Sequence, residues 1–454
     1  MTSRFDDTIA AIATSPVSSG IGIIRISGPD AKNILRRLMP KLGVCLEPRT
    51  LYFGPFVHPN TSTTLDMGYG VWIPRPRSFT GEDTAELQAH GGTLNLQRLL
   101  EATLRAGCRH ADPGEFTRRA FLNGKIDLSQ AEAISDIINA TSWPGLETAQ
   151  SQHAGALRRT VENLRNDILR IVAHLEVNID FVHEDIPLFS VQDIANRISE
   201  VRVAIRSLID TFELGRILRN GLGIALAGRP NTGKSSLFNA ILRDERSIVT
   251  DIAGTTRDYL EEKSDIGGIP VVLVDTAGIR ETDDPVEKRG VERTHQRLRN
   301  ADVILVLHDG SKPPEIDELT WSPATNPNHV VHVLNKQDLG IDPSWDNHFP
   351  TALRVSAATG VGIVELLHYL RNLAVGSSEQ ASHRTMITRS RHKEALMCCD
   401  EALTHALDAI GQCMPFEIIS GELQLALDAI GEIVGISNTE DILDRIFSEF
   451  CLGK

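Results

Sequence analysis

The sequence predicts a multidomain protein of mixed α/β + α class: an N-terminal α+β domain, then a helical domain interrupted by an inserted α/β domain. Three observations predict it. Residues 1–122 mix short β-rich runs with helical stretches. Beyond about Leu128 the strand runs vanish, and apolar residues recur at three- and four-residue spacing. Over 221–376 strands and helices alternate, and a helical tail follows. Domain ends commonly lie close together, so one helical domain, 123–220 plus 377–454, with an inserted domain is the economical reading of these 454 residues.

In the first domain Ile21–Ser27 has strand character, and Gly28-Pro29-Asp30 turns into an amphipathic stretch carrying Ile34, Leu35 and Leu38. Val71–Ile73 and Glu86–His90 read as further strands, and Leu94–Leu104 has helical spacing. In the helical stretch Leu164, Ile168, Ile171, Leu175 and Val177 recur at helical spacing, and turn chemistry interrupts at Pro187 and Asn220-Gly221. The inserted domain carries apolar runs at 224–227, 271–274, 303–307 and 330–334, the pattern of buried parallel strands with crossover helices. Polar Ser377–Gln380 reads as a linker, and Leu396, Leu403, Leu407 and Ile410 mark a helix in the tail.

Composition excludes several classes. With 41% hydrophobic and 23% charged residues the chain is globular and not disordered. A net charge of −14 argues against a protein that grips nucleic acid through a basic body, and 5% aromatics against a broad stacking platform. No apolar run reaches the roughly 18 residues of a membrane span. No signal or transit peptide is readable, and six cysteines without a C-x-x-C pair give neither a disulfide framework nor a zinc site. A cytoplasmic protein with no membrane association is the expectation.

Chemistry enters at Gly228-Arg-Pro-Asn-Thr-Gly-Lys-Ser235, which fits G-x-x-x-x-G-K-[ST] between a strand and a helix. Backbone N–H groups of Asn231, Thr232, Gly233, Lys234, Ser235 and Ser236 can wrap phosphates there, with Lys234 on the terminal ones and the Ser235 hydroxyl on Mg²⁺. Asp275-Thr276-Ala277-Gly278 ends an apolar strand, where the Asp can hold a magnesium-bound water and the Gly amide meet a γ-phosphate. Asn335-Lys336-Gln-Asp338 ends another: Asp338 can accept two hydrogen bonds from a guanine edge while the Lys336 stem covers the base. Ser356-Ala357-Ala358 supplies a base-facing loop. Adenine lacks that donor pair and would leave Asp338 unmatched, so the nucleotide is GTP and an ATP enzyme is excluded. Thr255 and Thr256 lie where a switch loop completes the Mg²⁺ shell. After Gly278 stands Ile279, whose alkyl side chain cannot orient water; the acids Glu281, Asp283, Asp284 and Glu287 downstream are the alternatives.

GRPNTGKSS, TDIAGTTRD, DTAGIRE, NKQD and SAATG resemble the GTPase domain of the tRNA-modification GTPases (MnmE, also called TrmE). So do DTIAAIAT, GIGIIRISG, SFTGEDTAELQAHGG, PGEFTRRAFLNGKIDLSQAEAI and the ending Ile446–Lys454, so the likeness covers nearly the whole chain. The resemblance implies an N-terminal domain that dimerises and binds 5-formyl- or 5,10-methylene-tetrahydrofolate, and a Ras-like P-loop GTPase inserted into the helical domain. It also implies a homodimer that forms a heterotetramer or larger complex with an FAD-dependent partner (MnmG, or GidA). That complex adds a carboxymethylaminomethyl group at carbon 5 of the wobble uridine of certain tRNAs. By motif it implies a K⁺ site at Asn231, Thr250, Ile252 and Thr255, with Asp251, Ala253 and Gly254 in the same nucleotide-facing loop, and Ser235 and Thr256 on Mg²⁺. It selects Glu287 as the carboxylate that positions water and Cys451 as a catalytic thiol. Arg25, Glu86, Lys125 and Lys454 match the folate pocket. Two departures stand out: Pro16–Gly20 is poorer in Gly than usual and lacks an Arg, and the tail reads Cys-Leu-Gly-Lys for the commoner Cys-Ile-Gly-Lys.

The rival reading is a ribosome-assembly or regulatory GTPase switch, which shares the nucleotide motifs but not the flanking blocks. Arg384, Arg389, Arg391 and Lys393 either face tRNA phosphates or form a solvated helix start.

Overall fold

The computed structural model describes residues 6–15, 17–42, 46–180, 190–244, 261–275, 301–314, 330–375, 385–436, 440–448, 450 and 453. They form two compact units: 1–135 with 153–165 and 427–454, and 136–152 with 166–426.

The first unit is built on a six-stranded sheet of β1 (Ile9–Ile12), β2 (Gly22–Ser27), β3 (Tyr52–Val57), β4 (Thr64–Ile73), β5 (Thr84–Ala89) and β6 (Arg109–His110). Its spatial order is β3-β4-β5-β2-β1-β6. All pairings are antiparallel except β1 with β6. Helices Ala31–Leu38 and Thr93–Arg105 bury Ile34, Leu35, Leu38, Leu99 and Leu100 against Ile24, Ile26 and Leu87 of the sheet. A second, smaller core joins Leu128 and Ala131 to Leu443 and Phe447 of the helix Glu440–Ser448 and to Phe450 just beyond it. There Gly114, with φ of 66°, is required by a close approach: an added Cβ would stand 2.5 Å from the Phe447 carbonyl oxygen.

The second unit holds β7 (Leu222–Gly228), β8 (Glu261–Ile266), β9 (Ile269–Asp275), β10 (Val303–Asp309), β11 (Val330–Asn335) and β12 (Leu353–Arg354) in the order β12-β11-β10-β7-β9-β8. Five strands run parallel, and β8 pairs antiparallel with β9 through the Gly267-Gly268 turn. Ile224, Leu226, Leu273, Leu305, Leu307 and Val333 are fully or nearly fully buried, as expected of strands covered on both faces. From β7 the chain goes first to one neighbour, β9, and then to the other, β10. The switch point of this doubly wound sheet is therefore at the carboxyl end of β7, where such sheets bind ligands.

Helices Val191–Ile209 and Phe212–Asn220 precede this sheet, and helices Ser390–Gly411 and Phe416–Val434 follow it. Among the described residues no helix is long and apolar enough to cross a membrane. The chain enters the sheet past Arg219 and leaves it before Arg389. Both guanidiniums donate to the same Asp136 oxygen, Arg219 Nε at 2.8 Å and Arg389 Nη2 at 2.8 Å. Returning backbone is also held by Gln152, whose amide donates to Met386 O at 2.9 Å, and by Thr211 Oγ1, which accepts from Ile387 N at 3.1 Å. Arg389 is thus committed to an ion cluster, and Lys393 lies over the Phe212 ring at 4.6 Å. Of the four cations considered for tRNA, Arg384 lies outside the described residues.

Candidate functional site

β7 delivers the chain into the 228–233 turn, whose shape depends on unusual dihedrals. Gly228 has φ of 140° and Gly233 φ of 93°, and Asn231 takes a left-handed φ of 65° that asparagine tolerates better than most residues. The helix Lys234–Asp244 follows at once, so its first N–H groups face the turn, an arrangement suited to an anion. Lys234 is buried and its Nζ donates to the carbonyls of Gly228 and Arg229, each at 2.9 Å. Asn231, Ser235 and Ser236 are exposed, while Thr232 is buried and caps the turn through Oγ1 to Arg229 O.

The structure brings the base-recognition residues to the same edge of the sheet. Asn335, 2% exposed at the end of β11, donates from Nδ2 to Thr232 O at 2.8 Å, and its Oδ1 accepts from Ala357 N at 3.0 Å. One side chain therefore ties the 228–233 turn to the 356–358 loop. Ser356 Oγ donates to Asp338 Oδ1 at 2.5 Å, fixing a carboxylate whose residue is otherwise exposed. Lys336, at φ of 67°, pairs through Nζ with Asp309 Oδ2 at 2.8 Å. Burial works to raise the Asp309 pKa, but hydrogen bonds from Lys336 and Ser311 outweigh it and hold the carboxyl below its usual range. Sequence reasoning missed Asp309. Its only signal was an acid closing an apolar strand.

On the other face of β10, His308 and His332 share a hydrogen bond of 3.0 Å and stack with Phe349 and Trp345. Burial, with His332 nearby, pushes His308 down to about 4, so this aromatic layer is uncharged near neutrality.

In the first unit Arg25 and Glu86 are directly paired across β2 and β5, with Arg25 Nη2 3.1 Å from Glu86 Oε1. Phe79 lies 5.6 Å from the guanidinium. Lys125 donates to Pro76 O at 3.1 Å, so it stands on the same 74–83 loop that carries Phe79. Gly453 meets the end of β1 so closely that a Cβ would be 2.2 Å from Ile12 O, and Ala11 of β1 is the register partner of Arg25. Behind that loop lies a network that sequence reasoning also missed. Arg119, 0% exposed at its side chain, is paired with Asp7, Glu82 and Glu115, and Arg109 joins the same carboxylates of Asp7 and Glu115. Burial would raise the Glu115 pKa, yet bonds from Arg109, Asp112 N–H and Arg119 hold it at about 2.

Thr250, Asp251, Ile252, Ala253, Gly254, Thr255, Thr256, Thr276, Ala277, Gly278, Glu287, Cys451 and Lys454 lie outside the described residues, as do the acids 281–284 and Ile279. Asp275 is described only as the last residue of β9.

Known proteins match this chain along its length. The family model described as GTP-binding protein TrmE N-terminus matches residues 8–125, and that of the MnmE helical domain matches residues 128–451. The tRNA modification GTPase MnmE of Heliobacterium modesticaldum is 42% identical over 465 residues, covering 99% of both chains. That of Clostridioides difficile is 41% identical over 458 residues, again with 99% of both chains covered. Among solved structures, the G domain of the T. maritima FeoB iron transporter matches with 24% identity and a TM-score of 0.23, covering 33% of this chain and 97% of that one. With both family models in register on their own segments and full-length relatives near 40% identity, the chain belongs to the MnmE family of tRNA modification GTPases.

Proposed function

We propose that this protein binds and hydrolyses GTP at the 228–235 and 335–358 site. With an FAD-dependent partner it uses that cycle to install a carboxymethylaminomethyl group at carbon 5 of the wobble uridine in certain tRNAs. The observation that carries the nucleotide reading is Asn335: its two hydrogen bonds join the phosphate turn to the base loop at the switch point of a parallel sheet. Asp338, pinned by Ser356, is then the guanine acceptor and Lys336 the cover of the base.

The residues fit the implied ions by donor chemistry. Ser235 and Thr256 hydroxyls suit Mg²⁺, a hard cation that prefers oxygen. The exposed Asn231 with Thr250, Ile252 and Thr255 offers the oxygen-rich shell a K⁺ ion requires. Such a cation supplies positive charge beside the phosphates. Glu287 positions the attacking water. Arg25, Glu86 and Lys125, with Phe79 alongside, combine cation, anion and ring in a way that suits a flat, polar folate, and the resemblance adds Lys454 to that set. The folate supplies the one-carbon unit, and Cys451 serves the tRNA chemistry. A homodimer through the N-terminal domain is supported by an exposed apolar face on β3 and β4, where Phe53, Met67 and Tyr69 are 63%, 40% and 47% exposed. The division into domains 1–122, 123–220 with 377–454, and 221–376 belongs to the same proposal.

The deciding experiment is nucleoside analysis of tRNA from cells lacking this protein. Loss of the modified wobble uridine is expected. Unchanged tRNA with abnormal ribosomal subunits would favour a ribosome-assembly switch. In vitro, hydrolysis is expected to run faster in potassium than in sodium, and equal rates would remove the K⁺ site.

A further inference from the structure

Asp309 has no part in the motifs that define the nucleotide site, yet it touches one of them. Its Oδ2 accepts from Lys336 Nζ at 2.8 Å, while its Oδ1 accepts from Ser311 Oγ at 2.6 Å and Ser311 N at 3.2 Å. The acid is therefore fully engaged by the turn that follows β10 and by one lysine. That turn is itself anchored: Trp345, 3% exposed, donates from Nε1 to Lys312 O at 2.8 Å. Alternation along β10 sends His308 to the aromatic layer and Asp309 to the opposite side.

Lys336 starts from a left-handed backbone, a conformation that lysine seldom adopts. A lysine tied only at its Cα samples many rotamers, and its methylene stem is then a poor wall for a ring. Here the far end is tied as well. The pair is partly shielded, with side-chain exposures of 31% for Lys336 and 15% for Asp309. We infer that Asp309 is a positioning residue for the purine: by holding the Lys336 ammonium it stretches the methylene stem into a fixed apolar surface against the face of the base. The inference rests on the reading of Asn335–Asp338 as the base site. It makes a division of labour. Asp338 reads the edge of the base, which differs between purines, whereas the stem covers the face, which all purines share.

The test compares GDP and IDP affinities of the full-length protein carrying Asp309→Asn, Lys336→Ala, or both. Asp309→Asn should weaken GDP and IDP by the same factor, about fivefold for a partly shielded pair. The GDP-to-IDP ratio should stay unchanged. The KM for GTP should rise while kcat stays within about twofold, because ground-state and transition-state binding fall together. The double variant should bind no more weakly than Lys336→Ala alone, and Asp309→Glu, which keeps an anion on the same turn, should recover most of the affinity. Wild-type affinities in Asp309→Asn, a changed GDP-to-IDP ratio, or losses that multiply in the double variant would each overturn the inference. Should Asp309→Asn not fold, Lys336→Met reads the same tether, since it keeps most of the stem and removes the ammonium; wild-type affinity there also overturns it. If Lys336→Ala and Asp338→Asn both leave GDP binding intact, the site reading itself fails. If Lys336→Ala weakens binding and Asp309→Asn does not, only the role of Asp309 is lost.

Discussion

Replacing Asn335 with alanine removes two hydrogen bonds at once, one to Thr232 O and one from Ala357 N. Both partners are backbone groups that cannot be deleted, and at 2% exposure the side chain leaves them in a closed space. A backbone group stranded in this way costs about 1–3 kcal/mol. Water from the cleft can reach the vacated space, which favours the low end, about 2 kcal/mol for the two together. The nucleotide must then order the 228–233 turn and the 356–358 loop itself, so the expected loss in GDP affinity is roughly 30-fold. A fluorescent GDP displaced by unlabelled GDP measures this directly on the full-length protein, with thermal melting as a check that the sheet persists. Gly233→Ala attacks the same brace from the other side, because its Cβ would stand 2.2 Å from Asn335 Nδ2 and its φ is 93°. It should be severely impaired alone, and the double variant should fall short of the product of the two losses. An Asn335→Ala protein that binds GDP within threefold of wild type refutes the claim that this side chain assembles the site.

Gly228→Ala sets a Cβ 2.4 Å from Leu307 O, at a φ of 140° and in register with β10, so it should lower the melting temperature and abolish nucleotide binding; unaltered melting contradicts the close packing of β7 on β10. Asp338→Asn should shift preference from guanine to xanthine nucleotides, whose edge offers an acceptor where guanine offers a donor, and retained guanine selectivity counts against the assignment. Glu115 has a folded pKa of about 2 against an ordinary value of 4.5, so its stabilisation is fully present above about pH 4.5 and is lost as pH falls toward 2. The difference is worth ~3 kcal/mol. Glu115→Gln should therefore show faster hydrogen exchange in helix 115–122 at pH 7 and a flatter response to acid; wild-type exchange at pH 7 would show that the network around Arg119 does not depend on this carboxylate.

Short-range signals were legible in the sequence and pairings were not. The apolar runs of the inserted domain coincide with β7, β9, β10 and β11, because buried parallel strands must be continuously apolar. β8 went unseen: Glu261–Ile266 carries three acids and a lysine, and it is a strand because it lies antiparallel on the sheet edge beside β9. β3 and β6 were missed for a related reason, being interrupted by Gly54 and Pro55 or only two residues long, so that their partners and not their own periodicity define them. Glu86 opens a run that reads as a strand, yet nothing local in the sequence marks it as the register partner of Arg25 in the middle of a sheet. Motif residues such as Asn335 were found by spacing alone. Their supports, Asp309 for Lys336 and Asp136 for the two arginines, come from distant parts of the chain and carry no local signature.

The shared Asp136 oxygen has a consequence for how the chain folds. Arg219 and Arg389 flank the whole inserted sheet, and a host that must bring them together bears the entropy of closing that long loop. That entropy grows only with the logarithm of loop length, so the helices on either side experience the insertion as little more than an extended surface turn once the two guanidiniums have met at the carboxylate. Lengthening or shortening loops within the inserted sheet should then leave the assembly of the surrounding helices almost untouched, whereas removing the carboxyl group at Asp136 would free both guanidiniums at once and leave the loop ends to the bonds of Gln152 with Met386 and of Thr211 with Ile387.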